Sequence, residues 1–192
     1  MSLGRALSAL ALAALASLGL SVALSPAEEA PPADSPVHAI EWAFRPASLG
    51  SMEQESTAAV IAEVTEVRAG PDLVARAEGD PTSVIRIPTQ RIELRAQRTL
   101  SGSAPESFTL FKQGSAEYYF EGDPFYRVGE RYLLFIRKRE ASDGTYLPVA
   151  PDGRLLIEPD GELKAFVDGP GRDRLEGKTA NDADQEIASV EG

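Results

Sequence analysis

GDPFYRVGERYLLFIRKR, residues 122–139, decides how this chain is read. Its second half carries Tyr132, Leu134 and Ile136 on one parity and Leu133 and Phe135 on the other. Successive side chains in a strand point to opposite faces, so a segment apolar at both parities must be covered on both sides. That predicts a central strand, with the interior of a β structure against one face and an arm or helix against the other. The first half places glycine, proline, acid and rings in a loop ahead of the strand. Such a loop is either a binding surface or the rim of a core.

Outward from this stretch the chain offers more short strands. TAAVIAEVTEVR, residues 57–68, sets Val60, Ala62 and Val64 on one face. AGPDLVARAEGDP, residues 69–81, holds two glycines and two prolines and reads as a loop. In SVIRIPTQRIELRAQRTL, residues 83–100, Ile92, Leu94 and Ala96 alternate with Arg91, Glu93, Arg95 and Gln97. Ile85 and Ile87 have the opposite parity, which predicts a β-bulge at Pro88 and the strong bending that a closed barrel needs. SFTLFKQ, residues 107–113, is a further strand. Two PDG turns, at 151–153 and 159–161, punctuate the short strands TYLPVA, RLLIE and ELKAFV. SLGSMEQES, residues 48–56, predicts a short helix, and Asp182 is placed to cap a terminal helix that docks Ile187 and Val190.

These elements predict an all-β fold with minor α content. Its form is a small OB-like closed β-barrel over residues 39–170, with one or two short peripheral helices. Residues 171–192 form a polar tail with a short C-terminal helix. Residues 1–27 read as a signal peptide, whose apolar run spans 6–24, with an uncleaved membrane anchor as the alternative. Residues 28–38 are a flexible tether rich in proline, alanine and acid. Beyond it Ile40, Trp42 and Phe44 alternate as a strand would, and Trp42 is expected to clamp this arm onto the barrel. The location implied is secreted or extracytoplasmic, and envelope-associated if the leader stays.

The strand AAVIAEVTEV, a long loop, TQRIELRAQRTLSG and then Gly129 to Phe135, GERYLLF, resemble a group of exported bacterial proteins. Those are similar to the OB-fold barrel of tissue inhibitors of metalloproteinases and of netrin modules. The resemblance covers residues 48–167 and implies a fold rather than an activity. The inhibitors chelate a protease zinc through an N-terminal cysteine. This chain contains no cysteine, so that mechanism does not carry over.

The same absence excludes disulfides, thiolate metal sites, a cysteine nucleophile and a lipid-anchored cysteine. Nineteen basic residues against thirty acidic ones give a net charge of −11, which disfavours nucleic acid and anionic membrane surfaces as partners. Arg91, Arg95 and Arg98 are interleaved with Glu93 and lack stacking aromatics, so they read as a solvated face. The sole histidine, His38, lies beside the tether, where nothing orients it, and no GxSxG, P-loop or HExxH motif occurs. No catalytic residue, metal site or cofactor is therefore expected. Asp72 with Asp80, and Glu121 with Asp123, are the candidate acid pairs, with solvated loop carboxylates the preferred reading. No calcium-loop motif accompanies them.

What remains is EYYFEGDPFY, residues 117–126, with five aromatics in ten positions. Rings give large contact area at low entropic cost. Tyr118, Tyr119, Phe125 and Tyr126 are the candidate ligand contacts, against the competing reading of a cap on the core. The expected function is an exported, non-enzymatic binding or interaction module for an envelope or extracellular protein or a carbohydrate. A cysteine-independent protease inhibitor is the alternative, and a carboxylate-dependent hydrolase comes third.

Overall fold

The computed structural model describes residues 37–38, 45–77, 80–115, 119–120, 123–140 and 143–190. All of them belong to one compact unit, 31–192. Residues 1–36, where a leader and most of a tether are expected, and Ile40, Trp42 and Phe44 lie outside the described residues. The elements are β1 (Val37–His38), α1 (Leu49–Gln54), β2 (Ala58–Ala77), β3 (Asp80–Gly102), β4 (Ser107–Gln113), β5 (Tyr119–Phe120), β6 (Arg131–Lys138) and β7 (Tyr146–Pro148). A 3-10 turn at Pro151–Gly153 then leads to β8 (Arg154–Ile157), β9 (Leu163–Ala165), α2 (Pro170–Leu175) and α3 (Ala180–Ala188). The chain is mostly β with a few short helices, as its alternating patterns predict. No helix among the described residues is long and apolar enough to cross a membrane.

Five strands close into a ring, because β2 pairs with both β3 and β6 while β7 joins β4 to β6. The β4–β7 contact is parallel and the other pairings in the ring are antiparallel. β8 and β9 extend the sheet from β6. The β2–β3 ladder is interrupted by five register shifts, and each extra residue bends and twists its strand. A long, regular antiparallel pair would splay flat; these irregularities let it curve into the ring.

β6 is buried on both faces, as its sequence predicts. Tyr132, Leu134 and Ile136 pack inside the ring with Val60, Val64, Ile92, Leu94 and Leu110. Leu133 and Phe135 face a second core made with Leu49 and Met52 of α1, Leu175 of α2, and Ala183 and Ile187 of α3. α1 starts on a capping box in which Ser48 and Ser51 satisfy each other's backbone N–H. α3 starts on another, between Thr179 and Asp182. Thr179 is thus the cap, and Asp182 is its reciprocal partner three residues on. Ile187 is buried and Val190 packs beside it.

Two expectations are corrected. Residues 69–77 are strand and not loop: β2 and β3 continue past the ring as a two-stranded ribbon, with Leu73 opposite Ile87 and Arg76 opposite Val84. Glycine and proline favour a loop locally, but cross-strand pairing overrides them. A ribbon with open edges tolerates proline because its N–H side can face away from the ladder. The bulge near Pro88 is present with the extra residue on the other strand, since Pro71 and Asp72 lie between the pairs Gly70–Thr89 and Leu73–Ile87 while β3 contributes Pro88 alone.

Candidate functional site

The loop between β5 and β6 is held by a buried cluster of charge. β4 alternates inward Phe108, Leu110 and Lys112 with outward Thr109 and Phe111, so strand parity drives Lys112 into the interior. Its ammonium meets the Asp123 carboxylate and also donates to the Asp123 backbone carbonyl at 3.0 Å. Arg154, the first residue of β8, approaches the same carboxylate from the other side, with Nη1 3.3 Å from Oδ1. Arg154 is 3% exposed. Two buried cations therefore share one partly exposed carboxylate.

Aromatic rings enclose the cluster. The Arg154 guanidinium lies 4.4 Å from the Tyr126 ring centre, 4.7 Å from Phe166 and 5.8 Å from Tyr132. Tyr126 and Tyr132 meet edge to face at 5.1 Å. Lys112 sits 5.6 Å from the centre of the Phe125 ring. These contacts place positive charge over the electron-rich faces of rings, which is most favourable where water is excluded. Burial, together with the nearby Arg154, lowers the Lys112 pKa to about 8 against the support of Asp123. Burial raises the Tyr126 phenol. It also raises Tyr132, whose hydroxyl donates to Glu130.

The rest of the loop is tied down by its backbone. Glu130 N–H donates to the Arg127 carbonyl at 3.1 Å, closing a tight turn in which Gly129 takes φ of +87°. Gly129 N–H then reaches the Val64 carbonyl and Val64 N–H the Glu130 carbonyl, both at 2.9 Å. The loop thus follows the β2 edge at the point where β2 leaves the ring.

Of the four ring residues singled out in the sequence, Tyr126 is 3% exposed and packs inward. Phe125 is half-buried. Tyr119 lies in β5, and Tyr118 is outside the described residues. β5 pairs in parallel with β1, Val37 opposite Tyr119 and His38 opposite Phe120. Of the acid pairs, Asp123 is engaged as above and Glu121 is outside the described residues; Asp72 is exposed on the ribbon, and nothing is described of the Asp80 side chain. Among the described residues no group of acids and histidine is arranged to hold a metal ion. Sequence reasoning missed Lys112 and Arg154. The parity of SFTLFKQ did carry the first of them, because it puts a lysine on the same face as Phe108 and Leu110.

Of the three arginines read as a solvated face of β3, Arg91 and Arg95 pair with acids, whereas Arg98 is half-buried and donates to Asn181 and to the Ala180 carbonyl at the start of α3. Arg95 pairs with Glu63 at 3.2 Å and Arg91 with Asp143 at 3.4 Å, while Glu93 of β3 pairs with Arg68 of β2. Large apolar side chains are exposed elsewhere: Val74 at 61%, Val84 at 55%, Ile85 at 42% and Val128 at 64%. The first three lie on the ribbon and Val128 lies in the pinned loop, so all four occur at one end of the strand ring. No protein-family model matches the sequence, and comparison with curated proteins returns no match.

Proposed function

We propose that the chain is an exported, non-enzymatic binding module whose partner surface is the end of the ring carrying the ribbon and the aromatic loop. We further infer that the ring is a small OB-like closed barrel, a reading supported by its circuit of five strands, with five register shifts in the β2–β3 ladder, and by its peripheral helices. The observation that carries the function is the ribbon. Among the described residues, the outer edge of β2 beyond Glu63 has no strand beside it, and neither has β3 before Thr89. Open edges with exposed Val74, Val84 and Ile85 suit an extended segment of an envelope or extracellular protein, which adds backbone hydrogen bonds and fills apolar positions. Phe125 would extend that surface, while Tyr126 packs inward behind it.

The test is capture from the producer's envelope and secreted fractions by the protein from Glu28 onward. Val84→Ser/Ile85→Ser and Phe125→Ala, each checked for folding by circular dichroism, serve as comparisons. A protein retained by wild type and lost by the folded ribbon variant supports the reading. Equal capture by all three removes it, and loss only with Phe125→Ala in a carbohydrate eluate moves the site to the loop and the partner to sugar. A second reading, a cysteine-independent protease inhibitor, is favoured by the pairing of β1 with β5, which sets an N-terminal arm beside the aromatic loop. Inhibition of a protease panel, or its absence, separates the two.

A further inference from the structure

A cleft of about 390 Å³ opens between the start of α3, the turn that joins β8 to β9, and the strands β2, β3 and β6. Its lining shares no residue with the ribbon or the aromatic loop. Ile61 and Ile157 give it an apolar floor, and both belong to the core shared with the helices. Small-molecule sites have this size and this make-up, an apolar base with a few placed polar groups.

The polar groups are Arg98, Arg131, Asp160 and Asn181. Arg98 is spent on the start of α3: its Nη1 donates to Asn181 Oδ1 at 2.9 Å and its Nη2 to the Ala180 carbonyl at 2.7 Å. A guanidinium can only donate, so this contact takes the Asn181 oxygen and leaves the Asn181 NH₂ for another acceptor. Arg131, the first residue of β6, is exposed, and among the described residues no carboxylate pairs with it. Glu63 stands opposite it in the sheet, but that carboxylate is taken by Arg95 and Gln97. Arg131 keeps its charge at any ordinary pH and so carries a full set of donors into the cleft. Asp160 Oδ1 accepts the Glu162 N–H at 3.0 Å, and its Oδ2 has no partner among the described residues. The cleft thus presents one open cation, one open carboxylate oxygen and one open amide beside an apolar floor.

We propose that this cleft binds an α-amino carboxylate with an apolar side chain, as a free amino acid or as the last residue of a peptide. Arg131 and the Asn181 NH₂ hold the carboxylate, a planar group that matches the guanidinium fork. The side chain lies on Ile61 and Ile157, and the ligand's own N–H or ammonium donates to Asp160. Capture of a terminal carboxylate is a recurring mode of peptide recognition. A phosphate or another dianion is opposed by Asp160, and a neutral sugar leaves Arg131 without its counter-charge. The site is separate from the ribbon, so it stands whether or not the ribbon binds a partner.

The test is calorimetric titration of the full chain with leucine and with alanyl-alanyl-leucine, each beside its C-terminal amide. At least one of the two acids is expected to bind about tenfold more tightly than its amide, the discrimination that a charged hydrogen-bonded pair supplies. Arg131→Gln, at an exposed position, is expected to keep the circular dichroism and melting midpoint of wild type and to lose that preference. Leucine binding as tightly as the tripeptide identifies a free amino acid as the ligand; weaker binding of leucine identifies a peptide end. The proposal is overturned if neither acid binds more tightly than its amide, or if folded Arg131→Gln keeps the preference. Should Arg131→Gln fail to fold, the comparison of acid with amide on the wild type decides alone.

Discussion

Lys112 shows how one buried charge sets a protonation equilibrium. The unfolded chain holds this proton up to about pH 10.5, whereas the fold releases it near 8, chiefly because burial penalises the ammonium. Between those values the unfolded state binds more protons, so Lys112 makes stability rise with pH across that window. Lys112→Met removes the buried charge and leaves Asp123 paired with Arg154 alone. The variant is expected to stay within about 1 kcal/mol of wild type at pH 7, or to exceed it, since replacing a buried ion with an apolar side chain is often neutral or better. Urea denaturation at pH 7, 8, 9 and 10 checks both points. The rise with pH should be present in wild type and absent from Lys112→Met. Sequence parity alone places this lysine inside, but nothing local marks Asp123 as its partner. Asp123 lies in a turn-like stretch where a solvated carboxylate is the ordinary outcome.

At the scale of elements, the β3–β4 connection depends on one glycine. Gly102 ends β3 with φ of +66°, and a Cβ there would stand 2.2 Å from the Thr57 carbonyl oxygen. Ser103 N–H donates to that same oxygen at 3.1 Å. Gly102→Ala combines a disfavoured backbone conformation with a clash against main chain, and the expected loss is about 2–3 kcal/mol. A thermal melt with unchanged midpoint would contradict it. The ribbon is the element least legible in the sequence. Gly70, Pro71, Gly79 and Pro81 argue locally for a loop, and only pairing with the partner strand makes 69–77 extended. By contrast α1 and α3 were legible, because a helix start is written in a few consecutive residues. Ser48 with Ser51, and Thr179 with Asp182, close their caps within one turn.

At the scale of the whole molecule, two cores share one wall. Leu134 faces the ring interior and Leu133 the helices, and both are fully buried. Leu133→Ala and Leu134→Ala are each expected to cost about 2–5 kcal/mol. Because β6 joins the two cores, either change should lower the unfolding midpoint seen by far-ultraviolet dichroism and by tyrosine absorbance together. Separate transitions for the two probes would show that the ring and the helical layer unfold independently.

The sequence by itself determined what is local or compositional. The missing cysteine rules out thiol and disulfide chemistry, and period-two alternation makes the chain mostly β with a strand buried on both faces. These properties need only neighbouring residues, or none. Tertiary structure decided which distant residues meet: that Lys112 of β4, Asp123 of the loop and Arg154 of β8 share one buried site, and that Tyr126 turns inward while Val84 and Ile85 stay exposed. The physical reason is ring closure. It brings together strands far apart in the chain, and their juxtaposition follows from the accumulated bends of every bulge between them.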